Sequence, residues 1–263
     1  MRRRNPMEVF FLGTGGGRVN LIKQVRGTGG FRIISNSADI HVDPGPGALV
    51  HSVKNRMSPL HLDAVIVTHN HVDHMTDAMA MVEGMTQYGL KKRGIIIGSR
   101  YTMLGDESGD RGISAYHQAK VTVAHVAEWG KKEIFRTKKG SFELEPVKVK
   151  HEEPTAFGFK LRMDGKVLGY TSDTEYLETL GKDFRGCDLL VVNCIKPKAD
   201  RYTGHLTSDE VIEILKAARP KTAVITHMGI KMLRLGPAEE AKRISDESGV
   251  KTMAAKDGLR LAV

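Results

Sequence analysis

The stretch Ala64-Val65-Ile66-Val67-Thr68-His69-Asn70-His71-Val72-Asp73-His74 sets four donors, H-x-H-x-D-H, directly behind an apolar run rich in β-branched side chains. Imidazole is among the commonest protein ligands for first-row metals, and a carboxylate among three imidazoles adds the oxygen donor a second cation takes. As plain surface groups these donors would repel one another or go unsatisfied; one or two divalent ions tie them together. Without thiolate, the set suits zinc, manganese, iron or nickel.

The elements that must carry this loop read from the chain in order. Met7 to Leu12 is a first strand, followed by Gly13-Thr14-Gly15-Gly16-Gly17-Arg18, where the backbone can approach another group closely. Arg18 stands where a dinucleotide fingerprint needs its third glycine and no helical pattern follows at once, so a tight turn under the active site is expected. Phe31 to Ser35 and Asp39 to Val42 read as paired strands, the second ending in Asp43-Pro44-Gly45-Pro46-Gly47. That turn leaves Asp43 either holding the metal loop from behind or stabilising the turn itself. Gly47 to Met57 suggests a helix, and a Met-rich helix from about Met75 to Tyr88 follows the histidine loop, its methionines near core spacing. Ile95 to Ile97 and Val121 to Val123 are short strands, with Gly98 to Gln118 between them as a long loop near the substrate entrance.

Further strands also end in donors. Phe142 to Lys150 alternates as a half-exposed strand and delivers His151. Asp164-Gly165 is a two-residue hairpin signal, and the returning strand carries Ser172 and Asp173 at its end. Leu189 to Val192 is an apolar strand. Thr207-x-x-Glu210 opens a helix that stops at Pro220, with His205 in the loop just ahead of it. Ala223-Val224-Ile225-Thr226 leads into His227, much as Ala64 to Thr68 leads into His69. Four strand ends, at His69, His151, Asp173 and His227, could converge on one edge of a sheet sandwich. A helix from about Pro237 to Ser248 and a strand near Leu259 to Ala262 finish the chain.

The 263 residues can bury a sizeable core and are read as a single domain, 1–263. Hydrophobic content of 40% with 27% charged residues excludes a disordered or fibrous chain. No apolar run is long enough to span a bilayer, and Val9 to Leu12 behind the basic Met1-Arg2-Arg3-Arg4 start is too short for a signal peptide. The expected location is therefore cytoplasmic, with no membrane partner and with Cys187 and Cys194 as reduced, buried thiols. A net charge of +9 favours anionic partners. Its lysines and arginines cluster at Lys91-Lys92-Arg93, Lys131-Lys132, Lys138-Lys139 and Lys196 with Lys198 and Arg201.

With H-x-H-x-D-H followed by His151, Asp173 and His227, the chain resembles the metallo-β-lactamase superfamily along nearly its full length. The resemblance implies an α/β fold, an αββα four-layer sandwich of two mixed sheets flanked by helices, with a dinuclear site at its edge. It implies that His69, His71 and His151 hold one ion, Asp73, His74 and His227 the other, and that Asp173 bridges them. Class B β-lactamases place a cysteine in the second metal site, and here both cysteines sit elsewhere. Gly204-His205-Leu206-Thr207 is similar to the H-x-T segment of the phosphodiesterase branch, which includes ribonuclease Z and the cyclic ribose phosphodiesterases. There the histidine protonates the leaving alkoxide or holds a phosphoryl oxygen. His205 and Asp73 are thus the candidate catalytic side chains.

Two divalent ions, zinc or manganese first, outweigh Asp73, Asp173 and a bridging hydroxide, so the site stays positive and attracts an anion. Together they lower the pKa of a shared water and aim the hydroxide at phosphorus. Ribonuclease Z inserts a tRNA-gripping arm after the ligand matching His151, but here Asp173 follows His151 by only 22 positions, which the hairpin fills, leaving Gly98 to Gln118 as the other place for an arm. The expectation is a phosphodiesterase acting on a small anionic cyclic or nucleotide phosphodiester, with a homodimer as the assembly. An RNA or DNA nuclease, including tRNA 3′ processing, a thioester or lactone hydrolase on the same metals, and a catalytically silent metal-binding protein are the alternatives.

Overall fold

The computed structural model describes residues 7–198 and 202–263; the basic residues Arg2, Arg3, Arg4 and Arg201 lie outside them. One sheet holds β1 (Glu8–Phe11), β2 (Phe31–Ile34), β3 (Asp39–Val42), β4 (Ala64–Val67), β5 (Ile95–Gly98), β6 (Val123–Val126) and β14 (Arg260–Ala262), in the order β14-β1-β2-β3-β4-β5-β6. The other holds β7 (Glu133–Arg136), β8 (Ser141–Lys148), β9 (Phe157–Met163), β10 (Lys166–Tyr170), β11 (Leu189–Asn193), β12 (Thr222–Thr226) and β13 (Thr252–Ala254), in the order β13-β12-β11-β10-β9-β8-β7. The helices are α1 (Gly17–Lys23), α2 (Ala48–Lys54), α3 (Val72–Met75), α4 (Ala78–Met85), α5 (Arg100–Leu104), α6 (Ala115–Lys120), α7 (Thr179–Asp183), α8 (Ser208–Ala218), α9 (Ile230–Leu235) and α10 (Pro237–Ser248). No helix among the described residues is long and apolar enough to cross a membrane.

Alternation of side chains along a strand explains the layers. In β4, Ala64 and Ile66 join the core shared by the two sheets, while Val65 and Val67 pack outward with Ala78, Met81, Val82 and Met85 of α4. In β11, Leu189 and Val191 face that shared core, and Leu190 and Val192 pack outward with α8. Strands covered on both faces must be apolar throughout, which is why these read as unbroken runs. Fully buried Ile66 truncated to alanine costs about 2–5 kcal/mol. The chain is therefore the expected αββα sandwich of two mixed sheets.

Strand direction creates the functional edge. β3, β4 and β5 are mutually parallel, and so are β10, β11, β12 and β13. β8 runs with β10, because β9 is antiparallel to both. Asp43, His69, His151, Asp173 and His227 thus follow the C-terminal ends of β3, β4, β8, β10 and β12, and Asn193 ends β11. Asp43, Ser172 and His227 there carry positive φ angles of 48°, 56° and 56°, a sparsely populated backbone conformation for residues with a Cβ.

Several local expectations are corrected. A helix does follow the glycine loop: α1 presents Val19 and Ile22 to solvent and so leaves no buried stripe for periodicity to reveal. The Met-rich helix is two helices, α3 beginning inside the metal motif and α4 beginning after Asp77, whose carboxylate accepts the Leu49 N–H. The 98–118 segment is not one long loop. It forms α5 and starts α6, capped by Ser99 and Ser114, and buries Met103 and Ile113. The Asp164-Gly165 hairpin and the Thr207/Glu210 capping box are both present.

Candidate metal centre

Asp173 Oδ2 sits at the middle of the strand-end cluster. Imidazole nitrogens of His74, His227, His205, His69 and His151 lie 3.2, 3.3, 3.6, 3.8 and 4.0 Å from it. Around it the donors fall into triplets within 4.8 Å of one another, among them His69/His71/His151 and Asp73/His74/His227. All eight residues singled out in the sequence are brought together, His205 included.

Second interactions fix which nitrogen faces inward. His74 Nδ1 donates to Asp43 Oδ2 at 3.0 Å and His151 Nδ1 donates to the Gly204 carbonyl at 2.8 Å, so each turns its Nε2 to the cluster. His151 Nε2 then lies 3.0 Å from His71 Nδ1, and His74 Nε2 lies 3.1 Å from His227 Nε2. At such separations each pair of nitrogens must share either a proton or a metal ion. His69 Nε2 is buried without a hydrogen-bond partner, the orphan a metal ion satisfies. The residues therefore fit a metal centre of nitrogen and oxygen donors.

Charge within the cluster points the same way. Burial alone would raise Asp173, but His227, His74 and His205 outweigh it and hold the carboxyl well below its ordinary range. Burial opposes charge on His74 as well, yet Asp173 and Asp73 draw a proton onto it and lift its pKa well above the imidazole value. Burial pushes His69 and His71 down, leaving them neutral donors. His205 is lowered by burial to about 4 and is neutral at neutral pH.

Asp43 holds the site from behind, as one of its two readings anticipated. It accepts the Thr68 N–H at 2.7 Å, the Thr68 hydroxyl at 2.8 Å and the Tyr170 hydroxyl at 2.9 Å, besides His74. Asn193 Nδ2 donates to Asp173 Oδ1 at 2.7 Å and to the Tyr170 oxygen at 3.1 Å. The glycine loop closes the site: Gly17 N–H donates to Asp73 Oδ2 at 3.2 Å, and a Cβ on Gly16 would lie 2.2 Å from His227 Nδ1. Tyr170, Asn193 and Glu153 escaped the sequence reading. Glu153, 4% exposed, accepts the Asn70 N–H at 2.7 Å and the Ser99 hydroxyl at 3.0 Å. A polar residue closing the apolar run Leu189 to Val192 was the available signal for Asn193.

The remaining histidines stand apart. His41 donates to the Gly29 carbonyl and is lowered by burial to about 3, His117 joins Ser114 and Glu83, and His125 pairs with Glu133. Cys187 and Cys194 are free and buried, and burial pushes the Cys187 thiol up to about 12.

Comparison with known proteins agrees with this geometry. The family model described as the beta-lactamase superfamily domain matches residues 39–228. Over 258 residues, 97% of this chain and 94% of the relative, the sequence is 37% identical to the uncharacterised protein MJ1374 of Methanocaldococcus jannaschii. It is 23% identical to ribonuclease Z of Metallosphaera sedula, covering 86% of this chain and 89% of that one. The crystal structure of the metallo-β-lactamase fold protein YhfI from Bacillus subtilis superposes with a TM-score of 0.79 at 21% identity, covering 98% of this chain and all of YhfI. By profile, full-length identity and fold, the chain belongs to the β-lactamase superfamily and is a metal-dependent hydrolase within it.

Proposed function

We propose that the chain is a dinuclear phosphodiesterase acting on a small cyclic or nucleotide phosphodiester. The observation that carries this is His205, which enters the donor cluster from its own loop, 3.6 Å from Asp173 and stacked on His227 at 5.5 Å between ring centres. The ribonuclease Z relatives support the phosphodiester. In this reading His69, His71 and His151 hold one ion, Asp73, His74 and His227 the other, and Asp173 both. Zinc or manganese, when bound, supplies a water of lowered pKa and neutralises charge on the phosphate.

The protein's own groups do the rest. Asp43, Tyr170 and Asn193 fix His74 and Asp173 through hydrogen bonds, and Gly17 fixes Asp73. Being neutral, His205 serves as an N–H donor to a phosphoryl oxygen rather than as a standing acid. A small substrate is favoured over tRNA because both places for an arm are used otherwise: β9 and β10 occupy the interval between His151 and Asp173, and 98–118 packs into the core. A homodimer is the assembly expected, which light scattering tests.

The central test is hydrolysis of bis(p-nitrophenyl) phosphate with manganese or zinc. His205→Ala lowers kcat by about 100- to 1,000-fold with metal content unchanged. Loss of metal together with activity would instead make His205 a ligand, and turnover only on thioesters would overturn the phosphodiester assignment.

A further inference from the structure

At the opposite end of the same strands, two basic clusters far apart in sequence meet. Lys91 and Lys92 precede β5, Arg136 ends β7 and Lys138 lies in the turn to β8, and together they line a cavity of about 540 Å³. Among the described residues Asp63 is the only carboxylate in its lining, and its charge is already answered: Arg93 lies 3.8 Å from Oδ1 and Lys139 2.7 Å from Oδ2. Arg93 also donates to the carbonyls of Leu60, Met85 and Leu62, so the frame is fixed by hydrogen bonds. Lys91, Lys92, Arg136 and Lys138 are exposed, and among the described residues none forms an ion pair.

Four unpaired cations around one concave space hold a potential that only anions relieve. The cavity is of the size that takes a small ligand or roughly one to two nucleotides, far short of a duplex. Its lining has no aromatic ring on which a base could stack, so contact would be to phosphates and blind to sequence. We infer that this groove binds the sugar-phosphate backbone of single-stranded nucleic acid, at a surface separated from the metal centre by the length of β4 and β5. The inference does not rest on the phosphodiesterase reading, since binding is measured without turnover.

Fluorescence anisotropy with a labelled oligouridylate and a labelled oligothymidylate tests it on the full chain. The variant Lys91→Gln/Lys92→Gln/Arg136→Gln/Lys138→Gln is compared with Lys54→Gln/Lys182→Gln/Lys251→Gln/Lys256→Gln, which alters four exposed lysines elsewhere and has the same net charge. The groove variant is expected to bind both oligonucleotides about tenfold or more weakly at about 0.1 M salt. Its plot of log K against log salt is shallower by about 3, since each single-strand phosphate contact contributes about 0.7. The control variant keeps near wild-type affinity, and equal melting temperatures show that both fold. Equal weakening in the two variants, no effect in the groove variant, or binding of inorganic phosphate without oligonucleotide would each overturn the proposal.

Discussion

The two halves of the donor cluster are built differently. His69, His71 and His151 are three imidazoles with no carboxylate among them, and the His71 ring is 32% exposed with the exposed Glu152 carboxylate, at 3.8 Å, beside its Nε2. Asp73, His74 and His227 include a carboxylate, and His74 is backed by the buried Asp43. A cation meets more negative charge and stiffer support in the second half. In the proposed dinuclear reading, an ion in the second half is expected to be held more tightly and an ion in the first half to exchange more readily.

Breaking what the halves share gives the largest effect. Asp173→Asn removes the charge that five imidazoles face, so metal analysis is expected to find both ions depleted, with phosphodiester turnover lower by about a thousandfold or more. Retention of one ion per chain would show that Asp173 belongs to one half alone. Asp43→Asn separates the halves. Removing the anion behind His74 lowers metal affinity of the second half by about 10- to 100-fold and leaves the first-half step of the titration in place. Weakening of both steps alike would mean that Thr68, which links Asp43 to His69, carries the support across.

The same division explains what was legible in the sequence. The donors could be read because H-x-H-x-D-H follows an apolar run and His151, Asp173 and His227 each come just after a strand, and two runs, before His69 and His227, are nearly identical. The αββα layering was legible in unbroken β-branched strands, which demand cover on both faces. The support behind the ligands, Asp43 apart, was not. Tyr170 reaches Asp43 across 127 positions, and Asn193 reaches Asp173 across 20, so only the assembled edge makes them partners. α1 was missed because its apolar residues face outward, and β7 and β13 because strands of four and three residues at sheet edges carry too little alternation.

Proton competition offers a milder separation. Asp173 and Asp73 raise His74, against the effect of burial, so an ion entering the second half displaces a proton. His69 and His71 are lowered by burial and are already neutral near pH 7. Affinity of the second half is expected to rise about tenfold per pH unit up to the His74 pKa, with the first half flat. Dye-competition titrations between about pH 6 and 8 check this; two parallel pH profiles would remove the distinction.

The smallest effect sharpens the comparison from the other side. Glu153 is to the first half what Asp43 is to the second, but one bond further out: it holds the Asn70 N–H between His69 and His71, not a ligand ring. Burial raises its carboxyl, and its partners in the protein are the neutral donors Asn70, Ser99 and Thr155. Glu153→Gln keeps an acceptor for Asn70 but turns an amide N–H₂ toward hydroxyls, so the loop shifts rather than collapses. First-half affinity is expected to fall by a factor of roughly ten or less, the low end of outer-shell effects, with KM for the phosphodiester rising at saturating metal and the second half unchanged. If Glu153→Gln instead strips the second half, Asp73 and His74 move with Asn70 as one rigid loop, and the independence of the halves is lost.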